Sequence, residues 1–210
     1  MIRILIVDDH AVVRRGIKEI LAERFEKTAF TEVENAQEAL AAVKKETWSL
    51  VILDISMPGR SGMDVLSDLK RARPEIPVVV LSMHPEEQFA RRALRTGAAA
   101  YLTKETVPEE LVKAVARVLA GGRYVSPSLA ERFAWELAEG RKKPSHESLS
   151  DREFQVLRLI ASGSTVKEIA QELVLSVKTV STYRARILEK TGMRNNAELI
   201  RYAIQNHLVS

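Results

Sequence analysis

Leu50-Val51-Ile52-Leu53 runs directly into Asp54, and Ile55-Ser56-Met57-Pro58-Gly59 follows. Four consecutive apolar residues, with β-branched Val51 and Ile52 at the centre, read as a strand buried on both faces. A parallel sheet covered by helices on both faces buries its strands in that way. Such a run has no use for a carboxylate, yet it ends in one, and Pro58-Gly59 then turns the chain. Asp54 therefore falls at the carboxyl end of a central strand, where open parallel sheets gather ligands and chemistry. An aspartate there can also do no more than hydrogen-bond the turn it opens, so the other strand ends have to decide.

The other strands repeat the pattern. Ile4-Leu5-Ile6-Val7 is a second buried strand ending in Asp8-Asp9, and Phe30 to Val33 is a weaker one. Val78-Val79-Val80-Leu81 closes on Ser82, and Ala99-Ala100-Tyr101-Leu102 leads to Lys104. Between them lie segments of helical spacing: Val12 to Ala22, with Val13, Ile17, Ile20 and Leu21 inward; Ala36 to Lys45, with Leu40 and Val43 inward; Gly62 to Arg73; Glu87 to Thr96; and Pro108 to Ala120. Five strands alternating with five helices predict a doubly wound, flavodoxin-like parallel sheet over residues 1–122.

Composition narrows the class. The chain has 210 residues, ample for two small domains, and a formal net charge of +4, too small to prove a nucleic-acid partner. It has no cysteine, which removes disulfides and thiolate metal sites. The start, Met1-Ile2-Arg3-Ile4-Leu5-Ile6-Val7-Asp8, is too short and too soon acidic for a signal peptide, and no apolar run approaches a membrane span. The expectation is a cytoplasmic protein with no membrane partner.

Asp8, Asp9, Asp54, Ser82 and Lys104 thus converge on one rim. Three neighbouring carboxylates repel one another and raise each other's pKa, a situation a hard cation such as Mg²⁺ relieves. Lys104 adds a point charge, and Ser82 a hydroxyl, suited to a phosphoryl group. Singly, the lysine could be an internal salt bridge and the serine a turn residue. All five at one rim are hard to explain by structure alone.

On these residues, with Tyr101 before Lys104 and the run Leu-Asp-Ile-Ser-Met-Pro-Gly around Asp54, residues 1–122 resemble the receiver domain of bacterial two-component response regulators. The resemblance implies that Asp54 accepts a phosphoryl group from a sensor histidine kinase. It implies Mg²⁺ held by Asp9, Asp54 and the Ser56 carbonyl, with Asp8 acting through water. It also implies a switch in which the Ser82 hydroxyl moves to the phosphate and the Tyr101 ring turns inward. Ala100 departs from the glycine common before that tyrosine, without functional consequence. His10 is read as a local surface residue, not a phosphodonor. Aspartyl-phosphate phosphohydrolases share much of this set but need a second aspartate two residues after the nucleophile as general acid. Ser56 stands there, so the chain is not expected to be an enzyme.

Beyond residue 122 the pattern changes. Ser126-Pro127-Ser128 opens another helix, with Leu129, Phe133 and Leu137 inward. Gly140 to Ser148 is polar, basic and aperiodic, so residues 123–148 read as a helix plus flexible linker. From residue 149 to 210 every periodic segment is helical. Ser150 and Glu153 form a capping box at the first of these helices. Leu157, Ile160, Ile169, Leu173, Val180, Ile187 and Ile200 supply the core of a small bundle. Val166 to Leu173, a turn through Leu175-Ser176, and Val177 to Thr191 lay out a helix-turn-helix. In the longer helix Val180, Tyr183 and Ile187 face the bundle, leaving Lys178, Ser181, Thr182 and Ala185 outward, flanked by Thr179, Arg186 and Lys190. Small polar residues rimmed by cations suit a major groove lined by phosphates. From Lys178 to Arg194 there are five cations and one acid, Glu189, whereas a merely solvated face mixes signs.

Leu149-Ser-Asp-Arg-Glu153, Val156-Leu157, Gly163, Lys167-Glu168-Ile169-Ala170, Leu173, Ser176-Val177-Lys178-Thr179-Val180, Lys190 and Ala197-Glu198-Leu199 make this part similar to the LuxR-type helix-turn-helix of NarL/FixJ response regulators. That resemblance implies double-stranded promoter DNA as partner, with Lys178 and Thr179 on phosphates and Ser181, Thr182 and Ala185 at base edges. It further implies a homodimer with the last helix at its interface, and RNA polymerase as a further partner. Tyr183 replaces the histidine often found at its position. A relay whose helical bundle binds protein rather than DNA is the alternative reading.

Overall fold

The computed structural model describes residues 1–57, 62–106, 108–138, 145–206 and 208–209. Pro58-Gly59 and the 140–144 part of the linker lie outside the described residues, as does the side chain of Leu137. The contacts divide the chain into two units, Met1–Glu139 and Gly140–Ser210.

In the first unit five strands form one parallel sheet in the order β2-β1-β3-β4-β5: β1 Ile2–Val7, β2 Thr28–Val33, β3 Leu50–Asp54, β4 Val78–Ser82 and β5 Ala100–Thr103. Helices α1 Ala11–Ala22, α2 Ala36–Lys45, α3 Gly62–Ala72, α4 Glu86–Thr96 and α5 Pro108–Leu119 connect or follow them. The central strands β3 and β4 are buried along their whole length. β2, the weakest strand pattern in the sequence, is an edge strand that is nowhere fully buried, so no apolar run was demanded of it. Ile4, Ile6, Leu50, Ile52, Val79, Leu81, Ala100 and Leu102 pack with Leu111, Val115 and Val118 of α5 and with Ile17 and Leu21 of α1 as one core. Side chains alternate along a strand, so Leu5, Val51, Leu53 and Val80, also buried, belong to the other face of the sheet.

Register fixes the rim. Val7 pairs with Leu53, Asp54 with Leu81, and Ser82 with Thr103, so β1, β3, β4 and β5 end at nearly the same level. Gly62 has to be glycine for this packing: a Cβ there would fall on the backbone of Ile55, just beyond the strand that carries Asp54.

The chain after α5 stays with the first unit. Tyr124 N donates to Ala99 O at 2.9 Å, extending the β5 edge by a single bridge. Helix α6, Pro127–Ala138, follows.

In the second unit a 3₁₀ turn, Ser145–Ser148, precedes α7 Asp151–Ala161, α8 Val166–Glu172, α9 Val177–Thr191 and α10 Asn196–Gln205. Phe154, Val156, Leu157, Ile169, Val180, Ile187, Leu199 and Ala203 form its interior. Side-chain caps start every α-helix of this unit: Ser150, Thr165, Ser176 and Asn195 each accept from the backbone N–H three residues on. Ser150–Glu153 and Thr165–Glu168 are complete capping boxes.

The turn between α8 and α9 carries a strained residue. Val174 has φ of 54° and is 78% exposed. A β-branched side chain in the left-handed region is costly, and here little burial offsets the cost. Val174→Asn should therefore stabilise the second unit by roughly 1 kcal/mol, since asparagine tolerates that conformation. Urea unfolding of the full-length protein reads this as a higher midpoint; an unchanged or lower midpoint would show that the valine contributes something its exposure does not reveal.

Candidate functional site

Lys104 is the hub of the rim. Its Nζ donates to Asp54 Oδ2 at 2.7 Å and lies 2.7 Å from Asp8 Oδ2, with all three side chains buried. The lysine is carried there by the exit of β5, whose Lys104 N donates to Ser82 O at 2.8 Å. Asp54 Oδ1 accepts from Ser56 N at 2.7 Å, so the turn-capping role open to such an aspartate is also met. Asp8 Oδ1 accepts from His10 N at 2.8 Å, and His10 Nδ1 lies 3.0 Å from Asp9 Oδ1 on a largely exposed side chain.

Burial pushes the Asp54 carboxyl above its usual value, and Asp8 adds to this, against the opposing pull of Lys104 and Ser56 N. Burial also works against the Lys104 ammonium, but the two carboxylates outweigh it and hold its pKa above the ordinary lysine value. The site thus keeps its cation firmly charged and its central carboxylate under strain.

Ligand atoms of Asp8, Asp9, His10 and Asp54 all lie within 4.8 Å of one another. Asp9 Oδ1 is buried without a hydrogen bond, 3.0 Å from His10 Nδ1, and Asp8 Oδ2 is buried against the Lys104 ammonium. Hard oxygen donors with unmet acceptor capacity fit Mg²⁺.

Ser82 is buried beside this cluster, its Oγ 3.5 Å from Ser56 Oγ and accepting from His84 N at 3.0 Å. Tyr101 is 1% exposed. The resemblance implies a ring that turns inward on activation; here it is already inward, because its buried hydroxyl finds a partner in His84 O at 2.9 Å.

The second group of expected site residues lies on α9. Lys178, Ser181, Thr182, Ala185 and Arg186 are exposed, whereas Val180 and Ile187 are buried and Tyr183 is half-buried. Ser181 and Thr182 donate their hydroxyls back to Val177 O and Lys178 O at 2.9 and 3.0 Å, leaving lone pairs and the threonine methyl available outward. Thr179 is half-buried, with its hydroxyl 2.8 Å from Ser176 Oγ at the helix cap. Lys190, exposed on the flank of α9, also has a partner inside the bundle. Its Nζ donates to Glu153 Oε2 at 2.7 Å, fastening α9 to the start of α7, with Glu153 buried. Burial works against the Glu153 carboxylate, but Lys190 and the Ser150 cap outweigh it and hold its pKa below the ordinary value. Nothing in the local sequence shows this pairing, which spans 37 residues.

Residues 4–116 match the response regulator receiver domain, and residues 147–203 match the luxR family of bacterial regulatory proteins. The response regulator GacA of Pseudomonas aeruginosa is 37% identical over 210 residues, covering all of this chain and 98% of GacA. The response regulator UvrY of Escherichia coli K12 is 34% identical over 209 residues, covering 99% of this chain and 96% of UvrY. Among solved structures, RcsB of Salmonella enterica serovar Typhimurium, bound to promoter rprA in the presence of phosphomimetic BeF3-, aligns with a TM-score of 0.64 at 28% identity. That alignment covers 96% of this chain and 98% of RcsB.

The raised Asp54 pKa has a consequence for stability. The folded chain holds that proton more tightly than the unfolded chain, so the folded state is favoured at low pH. Ionised Asp54 begins to penalise it as pH rises above the unfolded value of 3.8 and does so fully beyond the higher folded value. In EDTA at pH 8, Asp54→Asn should therefore melt higher than the wild type, with the gain shrinking as pH falls toward 4. Adding Mg²⁺ should raise the wild-type midpoint more than that of the variant. A wild type that melts higher than Asp54→Asn in EDTA at pH 8 would refute this electrostatic account.

Proposed function

The chain belongs to the NarL/FixJ-type response regulators, DNA-binding transcriptional regulators that join a receiver to a LuxR-type helix-turn-helix, and from that membership we propose that Asp54 is its phosphoacceptor. The observation that carries this is the Lys104 bridge, which holds a buried carboxylate at the end of β3 beside two further acids. A sensor histidine kinase is the donor: the N–P bond of its phosphohistidine breaks as an Asp54 oxygen bonds to phosphorus. Asp9, Asp54 and the Ser56 carbonyl, with Asp8 through water, would hold Mg²⁺, which when bound offsets the charge of the phosphoryl oxygens. Lys104 keeps its proton throughout and orients the group, and Ser82 donates its hydroxyl to it. The family is not generally enzymatic. With Ser56 where a general acid would have to stand, the site acts as an acceptor rather than a catalyst of turnover.

Phosphorylation then acts on promoter DNA through the second unit. The exposed row Lys178, Ser181, Thr182, Ala185 and Arg186 suits a major groove. Lys178 lies in the first turn of α9, where backbone N–H groups also favour an anion, and so meets a phosphate, with Thr179 beside it. Ser181, Thr182 and Ala185 meet base edges, with Arg186 and Lys190 on the flank, and Lys190 also holds α7 through Glu153. The chain binds as a homodimer through α10, on which Ile204 is 56% exposed. RNA polymerase is the further partner that such a regulator addresses, in the cytoplasm. Among the described residues no helix is long and apolar enough to cross a membrane.

Intact mass after incubation with acetyl phosphate and Mg²⁺ should show one added phosphoryl group, absent in Asp54→Asn; a variant that still gains the mass overturns the assignment. On DNA, Lys178→Ala should weaken binding to specific and random duplex alike and make the salt slope shallower by about one unit. Thr182→Val should cost roughly 1–3 kcal/mol on the specific site and little on random DNA. Binding measured across a salt series separates the two. The reverse pattern, with Lys178 setting sequence preference and Thr182 affecting every duplex equally, would refute the division.

A further inference from the structure

Helix α6 and the segment before it are fastened to the first unit at two kinds of place. Tyr124 is the firm one. Besides its backbone bridge to β5, its hydroxyl donates to Glu110 Oε1 at 3.1 Å. Burial, with Glu110 and Glu86 nearby, pushes that hydroxyl up to about 12, so it stays a donor. The other attachment is to α4. Ser126, buried, donates its hydroxyl to Glu86 Oε2 at 2.5 Å while accepting from Leu129 N at 3.3 Å as the cap of α6. One turn further, the Arg91 guanidinium lies 4.8 Å from the centre of the Phe133 ring.

Glu86 stands two residues after His84, and the His84 backbone is bonded to both switch residues. Its N donates to Ser82 Oγ, its O accepts from Tyr101, and its ring stacks on Phe89 of α4 at 4.7 Å. The Ser82 hydroxyl that steadies His84 is the same group that would donate to a phosphoryl on Asp54. Its Oγ now accepts from His84 N, so any rotation of the Ser82 side chain toward the phosphoryl oxygens alters the bond that steadies His84.

We propose that α6 is a latch on α4, closed by Ser126–Glu86 and Phe133–Arg91, and that moving the Ser82 hydroxyl shifts the 84–86 segment and opens it. The proposal rests on Asp54 being phosphorylated, as read above. Tyr124 is the pivot, and α6 beyond it is the chain that leads toward the second unit. The Ser126–Glu86 contact begins two residues from His84, so a small movement at His84 reaches α6 without a change in the sheet.

Hydrogen exchange on the full-length protein tests it, with intact mass recorded on the same samples. Amides of α6 should exchange roughly tenfold faster once the protein carries the phosphoryl group, while β3 and β4 stay protected. Ser126→Asp keeps a helix cap but sets a carboxylate against Glu86, so α6 should already exchange fast with no phosphodonor. Phe133→Ala should act in the same direction. Phosphorylated protein with α6 protected as before, or Ser126→Asp as protected as the wild type, overturns the latch. A protein that gains no phosphoryl mass overturns the Asp54 reading instead, and the Ser126→Asp arm still decides the latch on its own.

Discussion

One ammonium makes the receiver site possible. Asp54 and Asp8 are almost wholly buried at the ends of neighbouring strands, and without Lys104 between them the folded chain would hold two close, uncompensated carboxylates. Removing the one cation of such a buried cluster typically costs about 3–5 kcal/mol, a large share of a small domain's stability, whereas Asp54→Asn still leaves Lys104 paired with Asp8. Even with Lys104 in place the balance is incomplete, because burial still keeps the Asp54 pKa raised. The parallel sheet explains why this tension can be sustained. Its strands end level with one another, and the hydrophobic interior that fixes them is independent of the charges at the rim.

That independence is also why so much was legible from the sequence. Buried parallel strands announce themselves as apolar runs, and a polar residue closing such a run has few places to go. Asp8, Asp54 and Ser82 were found by that rule, and Lys104 by its place just after the fifth strand. Helix starts of the second unit were legible for an equally local reason: Ser150 with Glu153 reads as a cap because both partners lie within one turn. What local pattern could not show was anything joining distant positions. Lys190 reads as a cation on α9, and nothing near it in the sequence shows that Glu153 lies beside it. The Val174 conformation is unreadable because valine is the wrong residue for it, and propensity points the other way. Phe133 and Leu129 announced an inward face on α6 but not that α4 would receive it.

In the second unit the electrostatics divide by burial. Lys190 shares its charge with a buried partner and stabilises the bundle, while Lys178 and Arg186 project from the exposed face. A long-range field that draws DNA needs only the sum of these charges, but a contact that sets register needs a cation in reach of a phosphate. The short hydroxyls between them are already bonded to the helix backbone. In that state each hydroxyl keeps only lone pairs to offer a ligand, and Thr182 a methyl as well.

The strength of any switch in the first unit follows from magnitudes. Moving a two-state equilibrium from about 1:99 to 99:1 requires roughly 5.5 kcal/mol of differential interaction. The Ser82–His84 hydrogen bond is neutral and contributes on the order of 0.5–1.5 kcal/mol, too little to hold or drive such a change alone. A hydrogen bond from Ser82 to a phosphoryl oxygen is charge-assisted, at roughly 1.5–3 kcal/mol, and still falls short. The remainder has to come from the cluster beneath. Asp9 Oδ1, buried without a hydrogen bond, and the strained Asp54 carboxylate are unfavourable as they stand, and a cation of the kind proposed for this site would relieve both. A site already at its electrostatic minimum would have no such reserve. If Asp54 is phosphorylated as proposed, the tension that Lys104 only partly relieves is the reserve from which a repositioning of Ser82 would be driven.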